Sequence, residues 1–104
     1  MSTSTFIPDP ATAVAAADAR YRALQWVADN IHLLSAASVH VEWHGNVTIS
    51  GYSGATASIR EALSVVADDR MNEVSPTHSW WRGVIDTTDG LIAVTVVDDP
   101  MAQS

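Results

Sequence analysis

The sequence contains no cysteine and no lysine. The first absence removes disulfides, thiolate metal ligands and a sulfur nucleophile at one stroke, and the cytoplasm is the simplest location for such a chain. The second removes the amine that grips phosphates in a nucleotide-binding loop. Five arginines are the only strong bases against twelve acids, a net charge of -7. A surface this acidic repels phosphate backbones, and no basic run offsets it, so nucleic acid is not an expected partner. No apolar stretch is long enough to cross a bilayer. The first residues, "MSTSTFIPDP", carry neither the basic start nor the hydrophobic run of a secretory signal, so neither membrane nor export is expected.

What remains is a chain of 104 residues, 47% apolar, which fits one globular domain over 1–104. Residues 1–8 read as a flexible leader and 99–104 as a flexible tail. The acidity leans toward the second half, with -2 in residues 1–52 and -5 in residues 53–104. A solubilising surface explains this, and a negative field that steers a basic partner or mimics DNA is the sharper alternative.

Asp9 and Pro10 have the pattern of a helix start, and the alanine-rich stretch that follows predicts a helix over about 10–30. Val14, Ala17, Tyr21, Leu24, Val27 or Ala28, and Ile31 recur at helical spacing, which points Tyr21, Leu24 and Val27 at the core and leaves Trp26 off the stripe. Two β-rich runs, "VHVEWH" and "VTISGY", flank Gly45-Asn46, a two-residue hairpin signal. "SGATASIREALSVVADDRM" predicts a second helix, capped at Ser53 or by a Ser58–Glu61 box, with Ile59, Ala62, Leu63 and Val66 inward. "THSWWRGVID" and "LIAVTVVDD" predict a second hairpin, in which a four-residue loop sets Asp86 opposite Leu91. Trp81, Gly83 and Ile85 then share the core face with Ile92, Val94 and Val96. The order α-ββ-α-ββ implies an α+β fold: a four-stranded antiparallel sheet with two helices on one face.

The chemistry-bearing stretch is "VHVEWHGN". In a strand, His40, Glu42 and His44 share one face at intervals of about 6.5–7 Å, with Val39, Val41 and Trp43 on the core side. Convergence of that row on a metal requires a bend at His44, with His78 as a further ligand. The alternative is the polar face of a half-exposed strand. Ser53 in "GYSGA" lacks the spacing of a nucleophile elbow, and "SGATAS" offers backbone amides but no lysine. No catalytic residue, metal or cofactor is therefore expected.

Four tryptophans are many for this length. Trp43 and one of the Trp80–Trp81 pair are expected in the core, and the other of the pair faces outward. An outward Trp80 beside His78 and Arg82 has the composition of a contact hot spot, and His40, Glu42 and His44 extend that face if the helices cover only one side of the sheet. The partner is expected to be a protein or a second copy of the chain, with a homodimer as one outcome.

The run "YRALQWVADN", strand "VHVEW", helix "SIREALSVVAD" and hairpin "WWRGVID…DGLIAVTVV" together resemble small uncharacterised proteins of actinobacteria, their phages and plasmids. The resemblance spans roughly residues 20–97. It implies a mobile-element accessory protein and supplies no activity and no catalytic residue; small size, acidity, the exposed aromatic face and the lack of converging catalytic groups point to a non-enzymatic binding factor that engages a host protein. A metal-binding protein and an acidic nucleic-acid mimic stand as alternatives.

Overall fold

A computed structural model of the chain describes residues 10–99. The expected leader, its Asp9 cap and all of the expected tail except Asp99 lie outside the described residues. The fold is α+β, with helices α1 (Pro10–Asp29), α2 (Ile31–Leu34), α3 (Ser53–Leu63) and α4 (Asp69–Val74). The strands are β1 (Ser38–Val41), β2 (Val47–Gly51), β3 (Val66–Ala67), β4 (Ser79–Thr87) and β5 (Gly90–Asp98). Among the described residues no helix is long and apolar enough to cross a membrane.

The sheet is five-stranded and mixed, in the order β1-β2-β5-β4-β3, which corrects the expected four-stranded antiparallel sheet. Both expected hairpins form, but β2 and β5 join them in parallel, Val47 beside Val94 and Ile49 beside Val96. Parallel neighbours need a crossover, and α3 supplies it. The extra strand arises where the second helix stops early. Ser64 takes a left-handed conformation (φ 53°), the Ser64 and Val65 amides donate to the Glu61 and Arg60 carbonyls, and the β-branched Val66 then enters the sheet against Arg82. Asp68 caps the following turn by accepting from the Met71 amide at 3.1 Å, which starts α4 in a segment expected to be helix tail and connector.

The core lies on one sheet face. Val47 and Ile49 of β2 and Ile92, Val94 and Val96 of β5 meet Ala23 of α1, Leu34 of α2 and Ile59 of α3, all at 2% exposure or less. Trp81 and Ile85 pack against this cluster, and Asp86 pairs with Leu91, as the hairpin pattern predicts. The phase of α1 differs from expectation. Ala16, Ala23, Trp26 and Val27 turn inward, whereas Tyr21 and Leu24 are 65% and 50% exposed. Ala16 and Ala23 let the helix approach the sheet closely, Trp26 and Val27 pack beside them, and Val14, Tyr21 and Leu24 are left outside. Loop 42–46 shows the same tight fit: a Cβ on Gly45 would come within 2.7 Å of the Ala19 Cβ.

A polar node pins α3 to the end of β5. The buried Thr56 hydroxyl donates to Asp98, Arg60 Nη2 lies 3.8 Å from the other Asp98 oxygen, and the guanidinium carbon sits 4.1 Å over the Trp81 ring.

Candidate functional site

The reverse face of the sheet carries the side chains that alternate with the core: His40 on β1, Thr48 on β2, Thr95 on β5 and Arg82 on β4 form one transverse row. His40 and Arg82 thus share a face, separated by three strand spacings, roughly 14 Å. Along β4, Trp80, Arg82 and Val84 follow one another on this face, and His78 precedes them.

Trp80 is outward of the core, as expected, but not free. It is half-buried, lies opposite the 6%-exposed Val97, and its indole N–H donates to the Ser75 carbonyl at 3.3 Å. Among the described residues the cover is the connector between α4 and β4. Asn72 adds a second clasp, donating to the Trp80 carbonyl at 3.2 Å and accepting from its amide at 2.8 Å. His78 has both ring nitrogens engaged, Nδ1 with the Thr77 hydroxyl at 3.0 Å and Nε2 with Asp99 at 3.6 Å. Its ring is 6.2 Å from that of Trp80. Arg82 reaches Asp68 at 3.8 Å, yet its side chain stays 70% exposed.

The expected His40–Glu42–His44 row does not form. β1 ends at Val41, and Glu42, Trp43 and His44 lie in the loop. The Glu42 backbone closes that loop, its carbonyl accepting from the Gly45 amide at 2.9 Å and its amide donating to the Asn46 carbonyl at 2.8 Å. A turn destroys two-residue alternation, so Glu42 and His44 pair with each other at 3.6 Å and leave His40 behind. Among the described residues no three His, Asp or Glu side chains are placed to hold a metal. Trp43, expected in the core, is 49% exposed, with its ring 5.6 Å from that of His44.

The concave part of the reverse face is a groove of about 770 Å3 between α4 and the β4–β5 ladder. Val84 and Ala93 form its floor, Met71, Val74 and Val66 one wall, and Arg82, Arg70 and Asp68 its polar border, with Asn46 at the far end. Val66, Val74 and Val84 are 65%, 71% and 61% exposed. This aliphatic groove was hidden in the sequence, because it depends on α4 and on the edge strand β3. A smaller cleft of about 330 Å3, lined by Tyr52, Thr77, His78 and Asp99 among others, opens at the ends of β2 and β5.

Among the described residues Asp98 and Asp68 lie 3.8 Å from Arg60 and Arg82, and Glu42 and Asp99 lie 3.6 Å from His44 and His78. No protein-family model, curated protein or solved structure matches the chain.

Proposed function

We propose that the chain is a non-enzymatic binding module that holds a protein partner in the groove on the reverse face of its sheet. One observation carries this reading. Three largely exposed valines converge around Arg82 in a preformed concavity, a costly arrangement for a surface that serves only solubility. An aliphatic side chain or short helical ridge fits the floor, and an acidic group on the partner fits Arg82 and Arg70. The sequence pattern supports a mobile-element accessory role directed at a host protein in the cytoplasm. His78 and Trp80 precede Arg82 on the same face, outside the groove lining, while His40 borders that face at a distance.

Val84, not Trp80, is the position that tests this reading. A photo-reactive amino acid at Val84 is expected to cross-link one discrete host protein in an actinobacterial lysate, and Val74→Asp in the same chain is expected to remove the adduct while the circular dichroism spectrum is kept. Adducts no different from those formed by the same probe at exposed Ala57 of α3 would refute the groove as a binding site.

A further inference from the structure

The outward side of α1 presents a second apolar surface, on the opposite side of the helix from the core. Val14, Ala17, Tyr21, Leu24, Ala28 and, at the start of α2, Ile31 follow one another at intervals of three, four, three, four and three residues. From Val14 to Ala28 that is the spacing of a helix–helix seam, and Ile31 extends it past Asn30 (φ -117°, ψ 25°), which separates α1 from α2. The large members are 62% (Val14), 65% (Tyr21), 50% (Leu24) and 53% (Ile31) exposed, and the two alanines are exposed as well. Among the described residues nothing covers this stripe, since the packing of α1 on the sheet runs through Ala16, Ala23, Trp26 and Val27.

We infer that this stripe is a self-association surface, on which α1 of a second copy of the chain packs antiparallel. The order of side-chain sizes identifies the occupant. From Val14 to Ile31 the stripe runs large, small, large, large, small, large, and it reads the same from either end. A two-fold axis between Tyr21 and Leu24 therefore sets Val14 on the second copy's Ile31, Ala17 on its Ala28, and Tyr21 on its Leu24. Small residues meet small ones and let the axes approach, and large ones interleave. An isologous contact demands such a self-complementary pattern, whereas a foreign partner does not. The antiparallel order also sets the two helix dipoles head to tail.

The area agrees with a reversible dimer. Covering four large side chains that are each half to two-thirds exposed, with the alanines and Gln25 beside them, removes roughly 500 Å2 per copy, about 1,000 Å2 in total and the lower limit of a specific interface. The association is thus a concentration-dependent equilibrium. Two copies of charge -7 repel each other, and the seam itself contains no charged residue. Added salt screens the repulsion without weakening the contact, so the dimer tightens as ionic strength rises.

The test is sedimentation equilibrium of the full chain from 1 µM to 1 mM. Its apparent mass is expected to climb from 11.1 kDa toward twice that value, and to do so at lower concentration in 0.5 M NaCl. Leu24→Glu is expected to weaken association at least tenfold, as is Tyr21→Arg, and neither position touches the core. Val84→Asp, in the groove, is expected to leave it unchanged, which separates this surface from the proposed partner site. The absence of native cysteine makes orientation directly readable. Mixed Ala17→Cys and Ala28→Cys chains are expected to form a disulfide-linked heterodimer under mild oxidation, and Ala17→Cys alone is not. A monomer at 1 mM, a dimer indifferent to Leu24→Glu, or efficient self-linking of Ala17→Cys would each overturn the proposal.

Discussion

Gly45 carries two constraints at once. Its φ of 98° lies in the region that favours glycine, and any Cβ would press on the Ala19 side chain and backbone at 2.7–2.8 Å. Since the second contact includes rigid helix backbone, neither loop nor helix yields cheaply. Gly45→Ala is expected to destabilise the fold by about 2–4 kcal/mol, strain and overpacking combined. Urea denaturation tests this: the midpoint should fall while the slope with denaturant stays constant, and an unchanged midpoint would contradict the tight loop–helix contact. That a turn joins the two β-rich runs was legible from Gly45-Asn46, but the expected two-residue turn is a longer loop over 42–46 that sets Val41 opposite Val47. The Thr56–Asp98–Arg60 node was not legible. Its members are joined across 42 residues of chain, and no local pattern distinguishes a threonine that donates to a distant carboxylate from one that faces water.

At the level of the element, two helices show how period and phase are separate questions. The 3.6-residue pattern placed a helix at about 10–30, close to the observed Pro10–Asp29, but of Tyr21, Leu24 and Val27 only Val27 packs on the core, because α1 is apolar on both sides. Size is a poor guide where a helix must approach a sheet closely. In α3 the pattern ran past the true end, since "SVVAD" continues an apolar series with no glycine to stop it. Ser64 makes the stop instead, holding φ 53° and ψ 38° without the freedom glycine has there. Ser64→Gly is therefore expected to stabilise the protein by about 0.5–1 kcal/mol. Calorimetry should show this as a Tm rise of several degrees for a domain of this size. A fall in Tm would mean that the serine side chain contributes more than the strained backbone costs.

For the whole molecule, the sequence revealed the hairpins but not how they join. β1–β2 and β4–β5 are neighbours in the chain and advertise themselves by alternation. The parallel contact between β2 and β5 links Val47 to Val94 and leaves no mark in either strand, both being uniformly apolar on the core side. Net charge also acts at this scale. Among the described residues two arginine–aspartate pairs at 3.8 Å, each worth about 0–1 kcal/mol at a partly exposed site, oppose the self-repulsion of a chain at -7. Repulsion dominates, so raising NaCl from 10 mM to 0.5 M at fixed micromolar protein should increase Tm. A flat or falling Tm would show that the local pairs outweigh the collective field.

The clasp of Asn72 on the backbone of Trp80 has a consequence for the crowded cell. β3 is only two residues long, so the rim of β4 beyond it would otherwise offer its peptide groups as a template for any passing extended chain. A carboxamide occupies that template with the same donor and acceptor geometry a strand would use, yet presents no further rung for growth. With the Asp68 amide, which also donates to the Trp80 carbonyl at 2.9 Å, it closes this one position of the β4 edge to strand addition.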